Sequence, residues 1–157
     1  MPSNQTPLGA LPSRFKRERL LIIGCGDVGV RLARVQRHVR VLALTSNAQR
    51  VTELRGLGVT PLLGNLDAPS TLQRLAGLAT RVLHLAPPPL QGSTDPRTLA
   101  LTRALMQRTP PRTLVYGSTS GVYGDCEGAW VSEQRLVNPA TPRAQRRSSR
   151  YGYPRAS

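Results

Sequence analysis

Residues 20–29, Leu-Leu-Ile-Ile-Gly-Cys-Gly-Asp-Val-Gly, constrain the chain most: an apolar run leads straight into three glycines spaced G-x-G-x-x-G. Such an unbroken run suits a strand covered on both faces, as in a parallel sheet. Beyond the turn, Val28, Leu32 and Val35 recur at i, i+4 and i+7, and Arg31, Arg34 and Arg37 take the other face, which predicts an amphipathic helix. In this strand–turn–helix context each glycine has its own task. Gly24 makes the tight turn, Gly26 lets a pyrophosphate approach the backbone, and Gly29 lets helix and strand pack closely. The helix N-terminus offers unpaired N–H groups and a positive dipole end to phosphate. Gly24, Cys25, Gly26, Asp27, Val28 and Gly29 are therefore the first candidate binding residues for a dinucleotide.

The rest of the chain alternates strand and helix signals, the pattern of a doubly wound α/β sheet of the Rossmann type. Strands are expected at Val39–Leu44, Val59–Leu63, Arg81–Ala86 and Arg112–Tyr116. Pro61 lies inside the third, which a central strand would not tolerate. In the order 3-2-1-4-5 that strand is an edge, so the proline fits. A helix holding Val51 and Leu54 follows a cap at Ser46 or Asn47 and ends at Gly56 and Gly58. A short helix runs through Leu72, Leu75 and Leu78. Asp95 caps a helix that opens on Pro96 and reaches about Arg108. Residues 1–18 are expected to be a disordered basic extension, 19–137 the nucleotide-binding domain, and 138–157, crowded with Pro, Arg and Ser, an irregular basic tail.

A net charge of +14 raises the possibility of nucleic-acid binding. All the basic residues but Lys16 are arginine, as a coding bias towards GC-rich codons would produce. Single-strand binders also interleave stacking aromatics with their charges, and the basic clusters hold few beyond Phe15, Tyr151 and Tyr153. Solvated helix faces are the favoured reading, with nucleic acid third among the functional classes. Cys25 and Cys126 are far apart and match neither a disulfide framework nor metal-ligand spacing, so no metal site is expected. His84, inside an apolar run, reads as a packed strand residue. No apolar run has membrane-spanning length and no secretory signal opens the sequence, so a cytoplasmic protein is expected.

Cofactor choice turns on the end of the second strand, where NAD sites carry Asp or Glu for the ribose 2′-hydroxyl. This chain has Thr45, Ser46 and Asn47, with Arg50 one helical turn later. Hydroxyls and a guanidinium suit a 2′-phosphate, so NADP(H) is expected, with NAD the alternative.

Several segments together resemble the extended and atypical short-chain dehydrogenase/reductases, the NAD(P)-dependent epimerase/dehydratase group, over roughly residues 19–147. Gly64-Asn65-Leu66-Asp67 is similar to the family segment lining the adenine pocket. His84-Leu85-Ala86 is similar to the segment after strand four that passes the ribose and pyrophosphate, and Tyr116 to Gly124 resembles a strand-five segment ending Val-Tyr-Gly. The resemblance implies that Asn65, Leu66, Ala86 and Pro87 join the cofactor site. It places Thr119 at the catalytic Ser/Thr position, although hydroxyls in such loops often cap backbone groups instead.

The departures matter as much. Where the family's acid/base motif Tyr-x-x-x-Lys should stand, this chain has Arg143 and Arg147. A guanidinium stays protonated at any usable pH and cannot replace the phenol. Tyr151 and Arg155 repeat the spacing, but Gly152 and Pro154 between them oppose a helix. Periodicity also fades near Arg147, before the stretch that builds the family's substrate pocket. These features predict a truncated, oxidoreductase-like or epimerase-like dinucleotide binder with little turnover, whose small-molecule substrate belongs to a longer parent. A non-enzymatic NADP(H) sensor or partner-binding regulatory module is the second reading. The fifth strand, Thr113-Leu114-Val115-Tyr116, has no following strand to cover it, so self-association is expected.

Overall fold

The structure, a computed structural model, describes residues 18–148. Five strands form one parallel sheet: β1 (Arg19–Ile23), β2 (Arg40–Thr45), β3 (Thr60–Leu63), β4 (Arg81–His84) and β5 (Thr113–Tyr116). Their order is β3-β2-β1-β4-β5, so the direction of winding reverses between β1 and β4. Ile23 is level with Leu44 on one side and His84 on the other, and the following turns all leave the sheet from the same edge. Ligands of doubly wound sheets bind in the crevice opened at such a reversal.

The alternation of strand side chains divides the core. Leu21, Ile23, Leu42, Leu44 and Leu62 face a layer made by a 3₁₀ helix (Pro69–Leu75) and, later in the chain, the helix Pro96–Leu105. Leu20, Ile22, Val41 and Ala43 face the helices α1 (Asp27–Val35) and α2 (Arg50–Gly56). Leu54, Leu72, Leu75 and Leu101 are fully buried, each contributing about 2 kcal/mol of apolar burial. Naming Pro96–Leu105 α3, its start is as expected: Asp95 Oδ1 accepts the Thr98 N–H at 3.0 Å, and Pro96 occupies a position that has no helical partner for an N–H. It ends at Leu105, a turn short of Arg108.

Three expectations are corrected. Val28 and Val35 do not form the buried face of α1; both are exposed, and Gly29 and Ala33 are buried instead. The reason is steric: a Cβ on Gly29 would stand 3.1 Å from Ile22 Cγ2 and 3.2 Å from Cys25 Sγ, so the helix lies on the sheet through its smallest residues. Neither Ser46 nor Asn47 caps α2. Its N-cap is Gln49, whose N–H is held by Asn47 Oδ1 at 2.8 Å in a preceding turn. The segment expected to be irregular beyond residue 138 contains a helix, α4 (Pro142–Ser148), with Ala144, Arg146, Arg147 and Ser148 buried. Thr141 Oγ1 accepts the Ala144 N–H at its start. Of the expected N-terminal extension only Glu18 is described, where it pairs with Arg81. The Tyr151/Arg155 spacing lies outside the described residues. No described helix is long and apolar enough to cross a membrane.

Candidate dinucleotide-binding site

A groove of about 580 Å³ opens at the carboxyl ends of β1, β2, β3 and β4, where the sheet reverses. The glycine turn forms its floor. Gly24 has φ +82°, a conformation that disfavours other residues, and a Cβ there would lie 2.5 Å from the Ala86 nitrogen. The turn after β4 is equally close because Leu85 and Ala86 both donate backbone N–H bonds to the Ile23 carbonyl, at 2.8 and 2.9 Å. Gly26 differs. Its φ of −80° suits any residue, and apart from its chain neighbours no atom lies within 4 Å of where its Cβ would be. Neither strain nor packing requires glycine there; what its missing side chain preserves is free space over the backbone at the N-terminus of α1. Open backbone at a helix N-terminus is the kind of place where the helix dipole favours an anion.

Three further turns supply the walls. The β2 turn brings Thr45, Ser46 and Asn47, the β3 turn brings Gly64 to Asp67, and the β4 turn brings Leu85, Ala86 and Pro87. Thr45 Oγ1 accepts the Asn47 N–H at 3.2 Å, which shapes the β2 turn. Arg50, at the start of α2, reaches the same wall. Its Nη1 donates to the Cys25 carbonyl at 2.8 Å, and Nε and Nη2 each donate to the Glu53 carboxylate at 3.1 Å. That pairing holds the Glu53 carboxyl below its ordinary range. The guanidinium thus ties α2 to the glycine turn, while Cys25 is buried with its thiol pushed up by burial.

The groove brings together Gly24, Cys25, Gly26, Thr45, Ser46, Arg50, Asn65, Leu66, Ala86 and Pro87 of the sequence-derived candidates. Asp27, Val28 and Gly29 lie outside its lining, in the first turn of α1, where the Asp27 carboxylate pairs with Arg31. Thr119 lies apart, lining a smaller hollow with Ser118 and Tyr123. Its Oγ1 accepts the Gly121 N–H at 3.4 Å at the start of a 3₁₀ turn (Ser120–Tyr123), the local capping role open to a loop hydroxyl. Arg97 is a groove residue that sequence reasoning missed. It falls in the first turn of a helix whose start is well marked, but nothing in the spacing shows that it turns back towards β3.

The carboxyl ends of β4 and β5 carry a different arrangement. Arg147 of α4 is buried, and its Nη1 and Nη2 donate to the carbonyls of Gly117 and Ala86 at 2.6 and 3.1 Å. Its guanidinium carbon stands 4.5 Å from the centre of the Tyr116 ring. The Tyr116 hydroxyl donates to Asp95 Oδ2 at 3.3 Å, and Thr98 Oγ1 donates to the same oxygen at 2.6 Å. His84 Nε2 is 2.9 Å from Thr98 Oγ1, and its ring stands edge-on to Tyr116. Burial lowers the His84 pKa to about 4, so the imidazole is neutral at pH 7. Burial also raises the Tyr116 phenol, the wrong direction for an acid/base that must give up its proton near neutrality. Arg143 is exposed.

No protein-family model and no curated protein matches the sequence. Solved structures do. A conserved protein of unknown function from Silicibacter pomeroyi is 28% identical with a TM-score of 0.64, over 83% of this chain and 46% of that one. UDP-glucose 4-epimerase from Thermus thermophilus, solved as a complex with NAD, is 25% identical with a TM-score of 0.67, over 83% and 48%. A short-chain dehydrogenase/reductase superfamily protein from Agrobacterium tumefaciens with bound NAD is 20% identical with a TM-score of 0.61, over 83% and 42%. The chain thus spans about half the length of the structures it matches. The likeness read from sequence motifs holds in three dimensions: this chain is built on the Rossmann-type scaffold of the short-chain dehydrogenase/reductases and NAD-dependent epimerases.

Proposed function

We propose that this chain binds a nicotinamide dinucleotide, with the pyrophosphate over Gly26 and the adenosine half between the β2, β3 and β4 turns. The open cradle at Gly26, kept clear where neither strain nor packing demands glycine, carries the reading. Bound there, the cofactor would supply a hydride acceptor or donor. The chain's own residues would hold it: backbone N–H groups at the pyrophosphate, Thr45, Ser46 and Arg50 at the adenosine ribose, Asn65 and Leu66 at the base.

The preferred cofactor in this reading is NADP(H). Arg50 is already fixed at the groove wall by the Cys25 carbonyl, and a 2′-phosphate would compete with Glu53 for its remaining donors. Binding of NADPH and NADH to the chain, followed by calorimetry, tests both levels of the proposal. Arg50→Ala should lower the NADPH/NADH affinity ratio about tenfold, as expected for loss of a charge-assisted pair. Glu53→Gln should raise the ratio by freeing the guanidinium. An Arg50→Ala ratio equal to the wild-type one sinks the NADP(H) preference, and a wild-type chain that binds neither sinks the dinucleotide reading.

Turnover in this reading is low, and a substrate would belong to a longer parent. The observation favouring a sensor or partner-binding module as second reading is the fate of Arg147, whose terminal nitrogens donate to the carbonyls of Ala86 and Gly117 rather than to a reacting group. NADPH oxidation with a panel of carbonyl and sugar-nucleotide substrates separates the two. Nucleic-acid binding stays third, because Arg146 and Arg147, two charges of the basic tail, are buried.

A further inference from the structure

Arg97 does something that the dinucleotide reading leaves unused. From the first turn of α3 its side chain reaches the turn after β3, where Nε donates to Asp67 Oδ1 at 2.7 Å and Nη2 to Oδ2 at 2.5 Å. This is a two-pronged pair, the strongest geometry open to guanidinium and carboxylate. The remaining nitrogen, Nη1, donates to the Pro87 carbonyl at 3.3 Å. One planar group thereby joins three separate segments: the β3 turn, the β4 turn and the start of α3.

The first two segments are facing walls at one end of the groove, with Asn65, Leu66 and Asp67 on one side and Ala86 and Pro87 on the other. The side-chain hydrogen bonds that otherwise shape the β3 turn are local. Asn65 Oδ1 accepts the Asp67 N–H at 3.0 Å, and Thr71 Oγ1 accepts the Asn65 N–H at 2.9 Å. These bonds set the shape of the wall but not its distance from the opposite one. Arg97 spans that distance, and its side chain is only 26% exposed. Asp67 is 51% exposed, so what separates the pair from an ordinary surface bridge, which contributes little, is its two-pronged geometry and the third bond to Pro87.

We infer that the Arg97–Asp67 pair is a strap that sets the width of the adenosine end of the groove, making Arg97 a positioning residue for the base-bearing half of a nucleotide. The inference rests on the dinucleotide reading and adds to it a separable consequence. A fixed slot lowers the ordering cost of binding, so loss of the strap weakens ligands that enter the slot. Ligands that occupy only the Gly26 cradle are insensitive to it.

The test uses ADP, which carries adenosine and diphosphate, and inorganic pyrophosphate, which lacks the adenosine. Affinities are measured on the full chain by calorimetry or ligand-observed NMR. Arg97→Ala should weaken ADP about tenfold and pyrophosphate less than about twofold. The exchanged pair, Asp67→Arg with Arg97→Asp, should bring ADP back to within about threefold of wild type and shows that the fold is intact. Unchanged ADP affinity in Arg97→Ala overturns the strap while leaving the dinucleotide reading in place. Equal weakening of both ligands overturns it as well, because that marks general loosening. Selective loss of ADP without recovery in the exchanged pair overturns the pairing with Asp67. A wild-type chain that binds neither probe overturns the nucleotide reading and the strap together.

Discussion

At the carboxyl ends of β1, β2 and β3, turns stand open around a groove, whereas at the ends of β4 and β5 the guanidinium of Arg147 bridges two backbone carbonyls. The first region is made by leaving side chains out: Gly24 admits the β4 turn, Gly29 admits α1, and Gly26 keeps space clear. The second is made by putting a large charged side chain in, its two terminal nitrogens held by carbonyl oxygens and its guanidinium set over an aromatic face. A binding function is legible in the first because empty space at a helix N-terminus has few structural uses. In the second, a residue type that ought to advertise exposure or catalysis instead holds the fold together.

The sharpest way to break this contrast is at the glycines. Gly24→Val should destabilise the chain by at least about 3 kcal/mol, seen as a fall in the urea midpoint, because its Cβ would collide with backbone at a positive φ. Gly26→Val should leave stability within about 1 kcal/mol yet reduce dinucleotide affinity at least about tenfold. If the two variants behave alike, the division of labour between the glycines is wrong. Next in size is Arg147→Ala, which strips a donor from the buried Ala86 carbonyl and one from the half-buried Gly117 carbonyl. A loss of about 2–3 kcal/mol is expected by denaturant titration. A loss below about 0.5 kcal/mol would show that α4 does not brace the sheet.

The neutral buried His84 extends the second region's structural role to pH. Its folded pKa of about 4 lies below the unfolded value near 6.5, so between these limits the unfolded chain binds more protons. Stability contributed by this group is therefore present at pH 7 and falls as pH drops through 6.5 towards 4. About 2 kcal/mol should be lost between pH 7 and pH 5, a range largely above the carboxylate titrations, and His84→Asn should flatten the slope. Equal slopes in wild type and variant would remove His84 from the account. The smallest effect on stability is expected at β5, where Leu114 and Val115 are 39% and 52% exposed. Val115→Lys should change stability by less than about 1 kcal/mol, and in sedimentation it should shift any self-association towards monomer.

The first region is the more legible of the two in the sequence. Strand order, the glycine turn and most groove residues follow from local signals: apolar runs, a G-x-G-x-x-G spacing, Pro61 at an edge and Asp95-Pro96 at a helix start. The buried face of α1 is not legible in the sequence because contact there depends on what is absent, and hydrophobic periodicity weighs large residues above Gly29 and Ala33. Helix α4 escaped for a related reason. Its buried residues include Arg146 and Arg147, whose partners are the carbonyls of Gly92, Gly117 and Ala86, far away in sequence. An apolar periodicity cannot report a helix docked through guanidinium groups. Arg97 shows the same limit, since its bond to Asp67 is a tertiary fact with no local signature.

Pro61 has a further effect at the opposite edge of the sheet. The Gly64 N–H donates inward to the Thr45 carbonyl, and backbone donors alternate along a strand, so Pro61 occupies an outward position with no N–H to offer. Only the β5 edge of the described sheet therefore presents an unbroken row of donors. Two copies joined through that edge about a twofold axis would use up both, leaving prolines at the outer ends. Assembly by this route would stop at a closed pair, because the edge left outside is interrupted at Pro61.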